Sequence, residues 1–209
     1  VKTDAREIGY VMGSGDDVPG ILRQLGLNVT LLTDDALETA DLSRFRTIVA
    51  GVRAYNTRPR LKQLQSRLLA YVNAGGTFVV QYSTSGELVT EQLGPYPFKI
   101  SRDRVTVEDA PVTLLDPAHV LVTKPNTLGP ADFADWVQER GLYFAEPFDP
   151  RYEAVLASHD PGETEKKGGL LFARVGKGAF VYTGYAFFRQ LPAGVPGAIR
   201  LFANLISAR

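Results

Sequence analysis

The sequence predicts an α/β protein built on a doubly wound parallel sheet. Four short runs of apolar and β-branched residues, 8–12, 29–32, 47–52 and 77–82, have the near-continuous hydrophobicity of strands that are buried on both faces. Helical patterns separate these runs. Right-handed crossovers between parallel strands then place helices on both sides of the sheet.

The elements of the first half follow from local signals. After the first strand comes the turn Gly-Ser-Gly-Asp-Asp, and we expect Asp17 to cap a helix with Pro19 in its first turn and Gly26 at its end. A longer helix is predicted over about 59–73, because its leucines and Val72 share one face. A pair of glycines ends that helix before the fourth strand.

The pattern changes after Gly86. Residues 87–140 contain six prolines and only two short strand candidates, at 105–107 and 112–114. We therefore expect a proline-rich insertion at about 87–140, packed on the core of a single domain that spans 1–209. Strand patterns resume at 142–144 and 154–158, a hairpin is predicted from 169–174 and 179–183, and a last helix covers about 196–207.

Composition excludes several classes of function. The chain has 23 Lys+Arg and 23 Asp+Glu, and this zero net charge argues against a nucleic-acid or acidic-membrane binder. Without cysteine there is no disulfide, thiolate metal site or cysteine nucleophile, and two histidines argue against a multi-histidine zinc site. The longest uncharged run, 68–86, is too polar for a membrane span. We expect no metal, no cofactor and no membrane span.

The chain begins at Val1 and shows no signal-peptide pattern. We expect it to be one piece of a longer protein. The compartment stays open, and a secreted or periplasmic parent protein is one option.

Four segments resemble a known family. They read YVMGSGDDVP at 10–19, GVRAYN at 51–56, WVQERG at 136–141 and YTGYAFFRQLP at 182–192. Together they resemble the C-terminal extension of large bacterial PIG-L/LmbE-like deacetylases, which resembles the class I glutamine amidotransferase-like fold and its ThuA-like relatives. The resemblance covers nearly the whole chain. It implies a flavodoxin-like core and, as a partner, the deacetylase catalytic domain of the same chain, whose zinc motif Ala-His-Pro-Asp-Asp-Glu does not occur here.

The amidotransferase resemblance also implies a catalytic triad that can be compared position by position. Its nucleophile elbow, Gly-x-Cys-x-Gly, corresponds to Tyr-Ser-Thr-Ser-Gly at 82–86, with Thr84 in the cysteine position and Tyr82 in place of the first glycine. Its His-x-Glu corresponds to Ala-Phe-Phe-Arg at 186–189. We therefore expect a non-catalytic accessory domain that binds carbohydrate or docks on the catalytic domain. The alternative is an unconventional hydrolase that uses Ser83 or Thr84 with His159.

Polar and aromatic residues follow the predicted strands at their carboxyl ends, where doubly wound sheets bind ligands. This mixture suits a sugar, and Asp16 and Asp17 beside Arg53 favour a neutral one. We expect a concave pocket in which Arg53 and Tyr55 reach solvent. The residues predicted to bind the ligand are Ser14, Asp16, Asp17, Arg53, Tyr55, Asn56, Gln81, Tyr82 and Arg189. A structural role is the open alternative: Asp17 caps the helix, Arg53 pairs with Asp16, and the tyrosines line the sheet edge.

Overall fold

A seven-stranded sheet with helices on both faces forms the centre of the computed structural model, which describes residues 1–209. The strands are β1 (Glu7–Val11), β2 (Asn28–Leu31), β3 (Thr47–Ala50), β4 (Thr77–Gln81), β5 (Phe98–Ile100), β6 (Val112–Leu114), β7 (Ala145–Phe148), β8 (Glu153–Ala154), β9 (Leu156–Ser158), β10 (Leu170–Val175) and β11 (Gly178–Thr183). The helices are α1 (Val18–Gln24), α2 (Asp34–Thr39), α3 (Ala54–Thr57), α4 (Leu61–Asn73), α5 (Val120–Thr123), α6 (Phe187–Gln190) and α7 (Pro196–Ser207). None of them is long and apolar enough to cross a membrane.

The order of strands in the main sheet is β2-β1-β3-β4-β11-β10-β8. The first four strands of the chain are parallel to one another, as the sequence predicts. Strand β11 adds to β4 in parallel, whereas β10 and β8 run antiparallel to their neighbours and make the sheet mixed. The hairpin predicted at the end of the chain is therefore the β10–β11 pair.

Alternate side chains of each central strand enter two separate cores. Val49 and Val79 face one side of the sheet, where α1 and α7 pack. Ile48 and Phe78 face the other side, where α2 and α4 pack. Strands buried on both faces explain the near-continuous apolar runs of the sequence.

Several element predictions need correction. The helix expected over about 59–73 begins at Leu61, and α2 and α3 are additional helices. Of the strand candidates in the insertion, 112–114 forms β6, but Val105 makes only an isolated bridge to Gly141. The strand expected at 142–144 lies slightly later, as β7, because Tyr143 has a left-handed backbone with φ 53° that interrupts a strand. Two small antiparallel sheets, β5–β7 and β6–β9, lie beside the main one.

The loops after β1 and β3 approach each other closely at the carboxyl edge, which is the end of the sheet where β1, β3 and β4 finish. A Cβ on Gly13 would lie 2.1 Å from the Val52 carbonyl oxygen and 2.6 Å from the Ala54 nitrogen. Only glycine fits there. The Ser14 N–H donates to the same Val52 oxygen at 3.0 Å, so the two loops form one unit.

Asp16 holds this unit to the sheet. Its Oδ1 accepts hydrogen bonds from the Tyr10 hydroxyl at 2.7 Å and from the Val18 N–H at 3.0 Å, while Oδ2 accepts from the Val52 N–H at 3.3 Å. Gln81 of β4 donates in turn to the Tyr10 hydroxyl at 2.9 Å. Asp16, not Asp17, thus satisfies the start of α1, and the Asp17 side chain makes no capping hydrogen bond. The prediction that Asp17 caps the helix is wrong, because the carboxylate of its neighbour already occupies that place.

Two glycine substitutions test the close approach of the loops. We expect Gly13→Ala to lower the free energy of unfolding by about 2 kcal/mol or more, since its Cβ would overlap main-chain atoms that cannot move aside. Gly20→Ala is the matched control, because a Cβ at Gly20 in α1 meets nothing within 4 Å. That variant should gain about 0.5 kcal/mol from the lower backbone entropy of the unfolded chain. Urea denaturation measures both, and equal stabilities would contradict the packing described.

The two neighbouring aspartates allow a second test. We expect Asp16→Ala to lower the free energy of unfolding by about 2 kcal/mol, because three buried or half-buried donors lose their acceptor. Asp17→Ala, at an exposed carboxylate without hydrogen bonds, should change it by less than about 0.5 kcal/mol.

The loss on Asp16→Ala should also depend on pH. Burial raises the pKa of Asp16 above 3.8, against the hydrogen bonds that lower it. A carboxyl with a raised pKa in the folded state stabilises most below its unfolded pKa, and that contribution is lost as the pH rises through the folded pKa. The difference between wild type and Asp16→Ala should therefore be larger at pH 4 than at pH 7. A smaller difference at pH 4 would contradict the burial of this carboxylate.

Candidate functional site

Arg53 occupies an unusual turn between β3 and α3. Its backbone is left-handed, with φ 59° and ψ 22°, a conformation that few residues other than glycine adopt. Its N–H donates to the Tyr82 carbonyl oxygen at 2.8 Å, and its carbonyl accepts from the N–H groups of Asn56 and Thr57. The side chain is exposed, as the sequence predicts. The turn therefore holds a guanidinium group at the carboxyl edge at a cost in backbone strain.

Tyr82 lies beside this turn and is covered by other aromatic rings. Its ring stacks on that of Tyr143, with centroids 5.8 Å apart and an interplanar angle of 10°, and is tilted against Phe188 at 5.5 Å. Burial raises the pKa of Tyr82, and the nearby guanidinium groups of Arg53 and Arg189 act in the opposite direction. The stacking face expected to receive a sugar is thus occupied by Tyr143.

Glu139 is the acidic centre of the same region. It is 7% exposed, and its Oε1 accepts a hydrogen bond from Arg189 Nε at 2.8 Å. Its Oε2 lies 3.4 Å from an Nη of Arg104, whose side chain is mostly exposed. We call Arg53, Tyr82, Glu139, Tyr143 and Arg189 the carboxyl-edge cluster.

Sequence reasoning missed Glu139 and Tyr143 as members of this cluster. Glu139 lies in the WVQERG segment, so its position in that motif is the signal that could have identified it. Tyr143 gave no such signal, because the left-handed backbone that turns its ring towards Tyr82 is not visible in the sequence.

Tyr55 does not reach solvent, so that expectation is wrong. It is 0% exposed, and its hydroxyl donates to Gln65 Oε1 of α4. Tyr55 is the second residue of α3, and this helix turns the ring inward onto α4 rather than towards the carboxyl edge. Burial raises the pKa of Tyr55.

The remaining predicted residues bind main-chain groups or the core. Asn56 Oδ1 accepts from the Thr84 N–H at 2.8 Å, and Asn56 Nδ2 donates to the Gly86 carbonyl at 2.8 Å, so this side chain fastens the loop after β4. Ser14 Oγ donates to the Val52 carbonyl at 3.3 Å. Gln81 is 2% exposed, and its Oε1 has no hydrogen-bond partner.

The charge of this edge differs from the expected near-neutral balance. Both carboxylate oxygens of Asp16 accept hydrogen bonds from Tyr10 and the main chain, and Arg53 makes no ion pair with it or with any other carboxylate. The proposed Arg53–Asp16 pair is therefore wrong. Around the buried Glu139 lie three guanidinium groups, those of Arg53, Arg104 and Arg189.

The hydroxyl and imidazole groups considered for catalysis are not paired with one another. Ser83 is 1% exposed and its Oγ has no partner, while Thr84 Oγ1 donates to the Gly86 carbonyl at 3.3 Å. His159 Nδ1 lies 2.9 Å from the carbonyl oxygen of Asp160. Thr84 has no left-handed backbone, and no helix follows it directly, so the 82–86 segment does not form the strand-to-helix turn of a nucleophile elbow. No group of three or more His, Asp or Glu side chains is arranged to hold a metal ion.

No protein-family model and no curated protein matches this sequence. Solved structures do share its fold. The cytoplasmic protein STM3548 from Salmonella typhimurium matches with a TM-score of 0.60 at 14% identity, over 97% of this chain and 99% of that one. A Thermoplasma acidophilum protein, provisionally named as part of a GMP synthase, matches with a TM-score of 0.58 at 10% identity, over 98% and 94%.

A β-galactosidase from Rahnella sp. R3 matches with a TM-score of 0.59 at 17% identity. That match covers 96% of this chain, which spans about a third (31%) of the β-galactosidase. At such identities the likeness shows the fold alone. The chain has an α/β, flavodoxin-like fold that is compatible with the class I glutamine amidotransferase-like architecture.

Proposed function

We propose that this chain is a non-catalytic accessory domain of a PIG-L/LmbE-like deacetylase and that its carboxyl edge docks on the catalytic domain of the same protein. The left-handed turn at Arg53 carries the proposal. Hydrolases place a nucleophile on a strained strand-to-helix turn of this kind, whereas here the turn presents an exposed guanidinium without an ion-pair partner. Strain of this kind is concentrated at functional positions.

The contacts of the edge favour docking over a sugar at the same place. Tyr143 and Phe188 cover Tyr82, Tyr55 is buried, and Asn56 holds the loop after β4. The groups that would stack on a sugar or bind its hydroxyls are thus already in use. Guanidinium groups remain, and these form bidentate pairs with carboxylates and are enriched among residues that dominate interface energies. We infer an acidic patch on the catalytic domain as the docking partner.

The comparisons support an accessory role at the level of the fold. The same architecture forms about a third of the Rahnella β-galactosidase, so it occurs as one part of a larger enzyme named for a carbohydrate substrate. It also forms nearly all of the Salmonella protein STM3548. A role beside a catalytic domain is therefore compatible with how this fold is used.

We expect Arg53→Glu to weaken docking at least about tenfold, because the reversed charge would face the acidic patch and close like charges at an interface are costly. The affinity of the 209-residue chain for the separately produced catalytic domain of its parent protein, measured by calorimetry, tests this. Raising the salt concentration should weaken the wild-type complex.

Lys62→Glu is the matched control, since Lys62 is an exposed cation on α4 without a side-chain hydrogen bond or ion pair. It should leave the affinity unchanged. The docking proposal is wrong if wild type does not bind the catalytic domain, or if Arg53→Glu binds as tightly as wild type does.

We also expect the chain itself to hydrolyse neither glutamine nor an N-acetylated amino sugar, because Ser83 is buried and neither Ser83 nor Thr84 is paired with His159. Product release from each substrate, followed by chromatography, measures this. Turnover that Thr84→Ala, Ser83→Ala or His159→Ala abolishes would establish the hydrolase alternative in its place.

A further inference from the structure

A cavity of about 490 Å³ opens in the 85–100 segment, and no residue of the carboxyl-edge cluster lines it. Its volume lies within the range of roughly 300–1,000 Å³ that is usual for small-molecule sites. Ser85, Glu91, Gln92 and Lys99 supply polar groups to its lining. These four residues are exposed, and none of their side chains makes a hydrogen bond or an ion pair within the protein. The cavity therefore has uncommitted polar groups, in contrast to the carboxyl edge.

One wall of the cavity is an aromatic ring that the fold holds in place. The Tyr152 hydroxyl donates to the Tyr96 carbonyl at 2.7 Å and accepts from the Tyr96 N–H at 3.1 Å, so one hydroxyl fixes both backbone groups. The two rings pack edge to face with centroids 5.6 Å apart. The position of the Tyr96 ring is thus set before any ligand arrives, which lowers the entropy cost of binding.

A charged side chain covers the Tyr96 ring from outside the cavity. The guanidinium carbon of Arg151 lies 4.0 Å from the ring centroid, and Arg151 is held by two hydrogen bonds of 2.8 Å to the carboxylate of Asp149. Arg151 does not line the cavity. Tyr96 therefore presents to the cavity a part of its ring that Arg151 leaves uncovered.

The backbone around this ring is also restrained. Pro95 and Pro97 flank Tyr96 and line the same cavity, and proline restricts the backbone on both sides. Gly94 lies against the core, where a Cβ would be 2.6 Å from the Tyr152 hydroxyl and 2.8 Å from Phe180. The wall is consequently anchored on the main sheet through β11.

The chemistry of the lining favours a neutral polyhydroxylated ligand. The Glu91 carboxylate accepts hydrogen bonds, the Lys99 ammonium donates them, and the Gln92 amide does both. Glu91 and Lys99 cancel in charge, so neither an anion nor a cation gains a net attraction. A pyranose matches this set, because its C–H face packs on an aromatic ring and its hydroxyls surround that face.

We propose that this groove binds a neutral saccharide, with one pyranose ring against Tyr96 and its hydroxyls hydrogen-bonded to Glu91, Gln92 and Lys99. The site is separate from the docking edge and does not depend on the docking proposal.

Saturation-transfer NMR and calorimetry on the 209-residue chain test this with cellobiose, lactose, maltose and N,N′-diacetylchitobiose as probes. At least one of them should bind. Tyr96→Ala should weaken its binding about tenfold, as expected for the loss of a stacking ring worth on the order of 1.4 kcal/mol. Tyr96→Phe keeps the ring and should bind like wild type.

Glu91→Gln should weaken binding at least threefold, whereas Glu87→Gln is its matched control: an exposed carboxylate of the same segment that does not line the cavity. Circular dichroism and the thermal unfolding midpoint identify any variant that has lost its fold, and the Phe and Gln variants carry the test in that case. The proposal is wrong if no probe binds, or if binding survives both Tyr96→Ala and Glu91→Gln. It is also wrong if Arg53→Ala, rather than these changes, abolishes binding, since the sugar site would then lie at the carboxyl edge.

Discussion

The carboxylate of Asp16 organises the whole carboxyl edge. It lies between the loops after β1 and β3 and accepts hydrogen bonds from Tyr10, Val18 and Val52, which belong to a strand, a helix and the second loop. Because these donors converge on one side chain, the close approach of the loops and the left-handed turn at Arg53 both depend on it. A group so fully used in the fold is unsuited to binding a ligand, although its sequence position suggested one.

This arrangement separates two kinds of surface in the molecule. At the carboxyl edge the aromatic and amide groups are engaged within the protein, and the exposed groups are guanidiniums around the buried Glu139. In the groove of the 85–100 segment the polar side chains are free and a restrained Tyr96 forms a wall. The first surface suits a protein partner that carries carboxylates, and the second suits a small neutral ligand. An accessory domain with both would attach to its enzyme by one and hold a sugar with the other.

The sequence predicts the core of the fold well, because strands buried on both faces must be apolar throughout, as in 47–52 and 77–82. It predicts the site less well. Which of two adjacent aspartates is buried depends on where Tyr10 places its hydroxyl, and the inward turn of Tyr55 depends on α3, a helix of four residues without a clear pattern. The stacking of Tyr143 on Tyr82 joins residues that are distant in sequence, and no local pattern encodes that contact.

The central claim is that Asp16 is a buried structural carboxylate that fixes the carboxyl edge rather than a ligand-binding group. The most direct measurement is the chemical shift of its carboxyl carbon, followed by NMR as the pH is varied. Burial raises the pKa of Asp16, so the midpoint of its titration should lie above 3.8, the ordinary value for an aspartate. A midpoint at or below 3.8 would contradict the account, because it would mean that this side chain is in contact with water and free to leave its three donors.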